Sequence, residues 1–297
     1  MKTSNKELLE ELKKNLSLTE KQQLQIDNLN EKLRLVNEKL KESESLKSHF
    51  ISNITNEIIN PFASILGLSK NIIALDDDKI NNAKSMAKLI FSEAFHLDFQ
   101  LINIFAAAKI EAGTNIPEIV NTDINQLIKT VIDAFAYDSE KKKIDIKFDS
   151  LISSEMKKTF YFKTDPEKLQ IILKNLVSNS INYSPESNKI EIKAWIENED
   201  LNISVTDHGK GISESDKKLI FDRFKQLDSC ISSINKGYGL GLSVTKSLID
   251  ILEGKIDIQS NINQGTIVII TIPEGESLSD DIAFNGNEFL FESEEVF

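Results

Sequence analysis

The sequence predicts an α plus α+β architecture: an N-terminal coiled coil, a two-helix hairpin that pairs into a four-helix bundle in a dimer, and an α/β sandwich. Three observations predict it. Residues 1–47 carry leucines at heptad spacing in a polar, charged segment without Pro or Gly. Residues 48–113 hold two long stretches with apolar residues at helical spacing around a short acidic turn. From residue 114 the periodicity mixes helix and strand, with glycine-bearing turns between the runs.

Taken in order, Leu9, Leu12 and Leu16, then Ile26, Leu29, Leu33, Val36 and Leu40, form a narrow seam. Such a seam cannot bury itself in a monomer, so a parallel homodimer is expected. The phase slips between Leu16 and Ile26, which suggests local overwinding. Phe50, Ile54, Ile58, Phe62, Ile65 and Leu66 then make a wider apolar face, interrupted by the polar cluster Asn53 to Asn60 and by Pro61. Polar side chains and an interior proline both cost helix stability, so this stretch reads as a site. The turn LDDDKINN precedes a second helix over about 80–111, closed by Gly113. GTNIPEIV reads as a linker, and TDINQLIKTVIDAFAYDSEKKK as one helix capped by Thr122 or Asp123. IDIKFD and KTFYFKTD read as strands, and Pro166 opens the helix PEKLQIILKNLVSNSINYS. KIEIKAWIE and LNISVTD pair as strands, SESDKKLIFDRF is a short capped helix, and 227–238 is a loop. LGLSVTKSLIDILEG is a helix, and KIDIQS and GTIVIITIP are the last strands of one mixed sheet. The domain reading is therefore 1–47 coiled coil, 48–113 helical hairpin, 114–273 α/β sandwich and 274–297 acidic, disordered tail.

Composition excludes several functions. Thirty-five basic against 47 acidic residues give a net charge of −12, which argues against nucleic-acid binding and against docking on an anionic membrane. A single cysteine, Cys230, provides no disulfide framework or cysteine metal site. No apolar run of membrane-spanning length stands out, so a cytoplasmic protein without membrane insertion is expected, with an upstream sensor relaying any outside signal.

Chemistry concentrates in three elements. Asp207-His-Gly-Lys-Gly211 follows a strand, and Gly237-Tyr-Gly-Leu-Gly-Leu242 opens a helix. Glycines at such places let the backbone approach phosphate oxygens, and a helix N-terminus favours negative charge. Asn175 and Asn179 stand one turn apart on a helix, where a carboxamide oxygen can serve Mg²⁺ or an exposed polar face can result.

The order and spacing of these elements over about residues 46–273 resemble those of sensor histidine kinases, within the wider class shared with gyrase, Hsp90 and MutL. NLVSNSINYS is similar to the family's N box, VTDHGKGI to its first glycine box, IFDRFKQLD to its F box and KGYGLGLSV to its second glycine box. The resemblance implies an ATP-binding domain with Mg²⁺. Asn179 would ligate the metal, Asn175 would lie near the phosphates and Asp207 would accept from the adenine amino group. Tyr183 would stack near the base, Gly209, Gly211, Gly237, Gly239 and Gly241 would shape pocket and lid, and Phe224 would couple lid to body. Asn182 departs from the pattern, where the family often has Lys or Arg, which removes a charged phosphate contact.

KSHFISNITNEIINPFASILG resembles the family's phosphoacceptor box, but the position of the phosphorylated histidine holds Asn56. A carboxamide nitrogen gives its lone pair to the carbonyl and is neither nucleophile nor base, so autophosphorylation is expected to be absent. His49 lies two turns away, and His96 and His208 read as structural. Glu57 and Asn60 match the arrangement implicated in dephosphorylating a partner response regulator, one turn apart on one face. The alternatives are a non-enzymatic ATP-binding interaction protein (a pseudokinase), an engineered acceptor mutant of an ordinary histidine kinase, and an ATP-gated clamp of the wider class.

Overall fold

The computed structural model describes residues 5–76, 79–151, 161–217, 219–221 and 240–276. The chain divides into two compact units, Met1–Asn53 and Ile54–Phe297. The first is helical and belongs to helix α1, Asn5–Ile73. Its seam residues Leu16, Ile26, Leu29, Leu33 and Val36 are all exposed. The seam residues Leu9, Leu12 and Leu40 have side chains outside the described set.

In the second unit α1 continues to Ile73 with Pro61 inside it. Proline removes one ladder donor, the one that would meet the Glu57 carbonyl, yet the helix carries on. Helix α2, Ile80–Glu111, ends where Gly113 takes a φ of +66° and its N–H meets the Ile110 carbonyl at 3.1 Å. Among the described residues the extensive contacts of α2 are with the helices Ala136–Lys142 and Gly241–Ile251 of the α/β part. Phe62 and Leu66 of α1 and Phe91 and Phe105 of α2 remain exposed. Phe95, Leu97, Phe99 and Ala106 of the same helix are buried. Among the described residues α2 is also the one helix long and apolar enough to cross a membrane by length and composition.

The α/β part opens with strand β1, Val120–Asp123, and helix α3, Ile124–Ala134, capped by the Asp123 side chain accepting from Gln126 N at 3.0 Å. The single helix expected over this segment is two: Phe135 leaves helical geometry and α4, Ala136–Lys142, follows. The break buries the Phe135 ring edge-on against Phe95 and Phe99 of α2, at centroid distances of 5.2 and 6.0 Å. Such edge-to-face packing adds about 0.5–1.5 kcal/mol to area burial. Strands β2 (Asp145–Ser150) and β3 (Tyr161–Thr164) lead to α5, Pro166–Tyr183. The hairpin β4 (Lys189–Glu197) and β5 (Asp200–Asp207) follows. Then come α6 (Glu214–Lys217), α7 (Gly241–Ile251), β6 (Lys255–Asn261) and β7 (Gly265–Ile272).

The strands form two sheets rather than the expected single one. The larger has the order β2-β4-β5-β7-β6 and is mixed, because β2 runs parallel to β4. The smaller pairs β1 with β3 antiparallel; β1 lies partly in what the composition marks as linker. The core lies between the larger sheet and the helices. Ile190, Ile192 and Ala194 of β4 alternate onto one face with Leu201, Ile203 and Val205 of β5 and Ile270 and Ile272 of β7. Leu169, Ile172, Leu173, Leu176 and Val177 of α5, with Val244 and Leu248 of α7, complete it.

Helix α5 is anchored at its start by a buried ion pair. The Asp165 carboxylate accepts from Lys168 N at 2.9 Å and Lys168 Nζ at 2.7 Å, and also from Glu118 N at 2.8 Å. Lys168 Nζ donates in addition to the Ile116 carbonyl at 3.0 Å. The start of α5 is thus tied to the segment that enters β1. The loop expected at 227–238 and the acidic tail from Ser277 onward lie outside the described residues.

Candidate nucleotide site

The far end of α5 meets the end of β5, and the glycine loop 208–211 runs between them. Asp207 closes β5, paired across the ladder with Thr266. Gly209 N donates to Asp207 Oδ1 at 2.8 Å, turning the chain sharply after the strand. A Cβ on Gly209 would lie 2.5 Å from the Tyr183 carbonyl oxygen, so only glycine lets the loop lie against the end of α5. Gly211 has φ +69°, and a Cβ there would meet the Asn261 carbonyl oxygen at 1.9 Å. Two further bonds fasten this loop to the β6–β7 turn: Ile212 N donates to Ser260 Oγ at 2.8 Å, and Asn263 N to the Lys210 carbonyl at 2.8 Å. The loop is therefore held on both sides, by α5 and by the β6–β7 turn.

Electrostatics single out Asp207. Its carboxyl is buried, and desolvation pushes its pKa up, opposed by backbone hydrogen bonds from Gly209 and Thr266 and by the nearby His208. A buried carboxylate held by backbone N–H groups is a directional acceptor for an amino group. Tyr183, by contrast, is exposed, and the Lys210 ammonium sits 4.7 Å from its ring centroid.

The end of α5 has its own clamp. Lys142 Nζ, from the last turn of α4, donates to the carbonyls of Ile181 at 2.7 Å, Asn182 at 2.9 Å and Ser184 at 3.4 Å. A cation at a helix C-terminus meets the orphan carbonyls and the negative end of the dipole. Burial pulls the Lys142 pKa down while Glu186 raises it. This residue was not among those the sequence singled out, because in the run Lys141–Lys143 nothing distinguishes it.

The two asparagines of α5 are placed differently. Asn175 is buried, and its Nδ2 donates to Asn103 Oδ1 of α2 at 2.8 Å. Its own Oδ1 faces Gly241, where a Cβ would come within 2.9 Å of it. Asn179 lies one turn on and is half-buried. Asn182 is exposed, with Nδ2 3.5 Å from Ser178 Oγ. Asn103 was also missed in the sequence; the available signal was one carboxamide within the apolar run LINIFAAA.

Asn175, Asn179, Tyr183, Asp207, Gly209, Gly211 and Gly241 thus line up along α5, the end of β5 and the start of α7. Phe224, Gly237 and Gly239 lie outside the described residues. Asn56, Glu57 and Asn60 lie on α1; Asn60 is exposed, and the side chains of Asn56 and Glu57 are outside the described set. Among the described residues no cluster of His, Cys, Asp and Glu suits a metal ion. Any metal here would be held by carboxamide oxygen and its ligand's own oxygens, which suits the hard ion Mg²⁺.

Residues 164–276 match the family described as histidine kinase-, DNA gyrase B-, and HSP90-like ATPase. The chain is 27% identical over 234 residues to the circadian input-output histidine kinase CikA of Synechococcus elongatus, covering 78% of this chain and 30% of that protein. It is 25% identical over 242 residues to the sensor-like histidine kinase SenX3 of Mycolicibacterium smegmatis, covering 80% of this chain and 61% of the relative. Full-length ShkA, solved in complex with AMPPNP, shares the fold with a TM-score of 0.53 at 20% identity, covering 80% of this chain and 47% of that one. The chain spans only 30%, 31% and 17% of the length of the first three curated relatives it matches. The α5-to-β7 part of the chain thus matches a family of ATPases that includes histidine kinases, and the relatives it resembles over a longer span are histidine kinases.

Proposed function

We propose that this chain is the transmitter part of a two-component signalling protein that binds Mg·ATP and a response regulator but does not phosphorylate itself. The observation that carries the nucleotide reading is the buried Asp207 carboxylate. It is set by Gly209 N and walled by glycines that admit no Cβ, at the end of the helix bearing Asn175 and Asn179. In this reading Asp207 accepts from the adenine amino group, and Tyr183 flanks the base. Asn179 offers its carboxamide oxygen to Mg²⁺, and Asn175 stands behind it near the phosphates. Gly209 and Gly211 keep the loop close to the base, and Gly237, Gly239 and Gly241 with Phe224 form the lid and its coupling to the body. Bound ATP with Mg²⁺ supplies a transferable phosphoryl group; the chain's residues bind and orient it.

Residues 48–113 pair with a second copy as a four-helix bundle. The exposed apolar side chains of Ile59, Phe62, Leu66, Phe91 and Phe105 support that pairing. Asn56 cannot attack phosphorus, so the activity left to this region is directed at the partner. Glu57 and Asn60 orient a water against an aspartyl phosphate of the response regulator, a reaction that depends on positioning rather than on a covalent intermediate.

Three measurements test this. A titration with Mg·ATP should saturate; its failure would overturn the nucleotide reading. With γ-labelled ATP, ³²P should enter Asn56→His and not the chain as it stands. A phosphorylated cognate regulator should lose phosphate faster with the chain than with Asn60→Ala; equal rates would rule out the phosphatase role.

A further inference from the structure

The contact between Asn103 and Asn175 joins helix α2 to the nucleotide site through two buried carboxamides. Both residues are buried, at 5% and 3% exposure. Asn103 donates its Nδ2 to the Phe99 carbonyl of its own helix at 2.9 Å. Its Oδ1 is thereby left as the acceptor, and Asn175 Nδ2 fills that role at 2.8 Å. A carboxamide has one donor end and one acceptor end, so this bond decides which way Asn175 faces. Its Oδ1 is turned onto Gly241, the first residue of α7, where the missing side chain leaves room for it. In a buried interface a mis-set carboxamide leaves unpaired polar atoms, which keeps the orientation single. The neighbouring pair follows the same direction: Asp98 of α2 is buried and its charge acts on Lys174 of α5, raising a pKa that burial lowers.

We propose that Asn103 is a positioning residue of the nucleotide site, holding the Asn175 carboxamide oxygen against the start of α7 so that the seating of α2 sets nucleotide affinity. The inference rests on the reading that Asn175 and α7 border bound nucleotide. Asn103 touches no nucleotide itself; it acts through Asn175. Asn103 lies on α2, so a shift of α2 along α5 changes the site without touching the glycine loop 208–211.

The test uses the full chain and two readouts. The first needs no nucleotide: the backbone amide resonance of Gly241 and the side-chain amide of Asn175 in ¹H–¹⁵N spectra. The second is the affinity for Mg²⁺ with a non-hydrolysable ATP analogue. Asn103→Leu should move both resonances and weaken binding about 3- to 10-fold, the range supplied by one buried hydrogen bond. Phe99→Leu loosens the same interface while leaving the asparagine pair and the Phe99 carbonyl in place, so it should lower thermal stability with binding held within about twofold. An unmoved Gly241 amide in Asn103→Leu would overturn the proposal, as would unchanged affinity or an equal loss in Phe99→Leu. If Asn103→Leu does not fold, Asn103→Ser, smaller and polar, is read by the same criteria. A native chain that binds no analogue overturns the nucleotide reading instead, and the Gly241 amide then alone decides whether Asn103 sets Asn175.

Discussion

The backbone N–H of Gly209 donates to Asp207 Oδ1 at 2.8 Å, so the residue that turns the chain also holds the carboxylate that the strand delivers. Burial pushes that carboxyl above its ordinary value of 3.8, against the backbone donors. The folded state therefore takes up a proton before the unfolded state does as pH falls. The cost of burying the charge is fully present above the raised pKa and is relieved between it and 3.8. Nucleotide binding runs the other way, because the protonated carboxyl is a donor toward an amino group that also donates. Affinity for Mg·ATP should fall as pH drops through the raised pKa, toward about tenfold per pH unit below it, while this group does not weaken the fold. Titrations carried from neutral pH downward toward 3.8 check this, and Asp207→Asn should bind weakly with a flatter profile.

The glycines of the loop differ in what they protect. A Cβ at 209 meets the Tyr183 carbonyl oxygen and Asp207 Oδ1 at 2.5 and 2.9 Å. Gly209→Ala should therefore push the loop off α5 and cost about 1–3 kcal/mol, with a clear loss of nucleotide affinity. At 211 the clash at 1.9 Å with the Asn261 carbonyl adds to a φ of +69°. Gly211→Ala should destabilise the fold more than Gly209→Ala, which urea denaturation of the two variants would show.

The parts of this molecule legible in the sequence are those whose physics is local. Pro166 announces the start of α5, Asp123 is one of the two residues expected to cap α3, and Gly113 ends α2, because such signals need only their own next turn. The glycine loop is legible for the same reason. Strand β1 is not, since VNTD has no alternation of apolar residues and becomes a strand only by pairing with β3. Nor is the break at Phe135, which exists because α2 offers Phe95 and Phe99 to its ring. Asn103 and Lys142 act across 72 and about 40 residues of chain, so their partners could not be read from spacing.

Lys142 supplies the clearest case of such a distant partner. Its ammonium closes three carbonyls around the last turn of α5, next to the Tyr183 carbonyl that abuts Gly209. Lys142→Met keeps the aliphatic stem and removes the donors. The expected loss is about 1–2 kcal/mol of stability, with nucleotide affinity reduced as the wall behind Gly209 loosens. Thermal melting and an ATP titration on the same sample would separate the two effects.

At the opposite end of α5 the Asp165–Lys168 pair should show the non-additivity of buried charges. Each partner is nearly inaccessible, with side-chain exposures of 2% and 7%, and each has further bonds that the other does not provide. Lys168→Met removes the ammonium and leaves the Asp165 carboxylate with the Glu118 and Lys168 backbone donors. Asp165→Ala strips the helix of its cap and leaves a buried ammonium with only the Ile116 carbonyl. The second change should be the more damaging, at about 3–5 kcal/mol, because an uncompensated buried charge is added to a lost cap. In the double variant no charge remains unpaired, so its cost should be smaller than the sum of the two single costs. Urea denaturation of the four forms measures the difference. An additive result would mean that the ammonium reaches solvent once its partner is gone, and that the pair holds α5 through the cap alone.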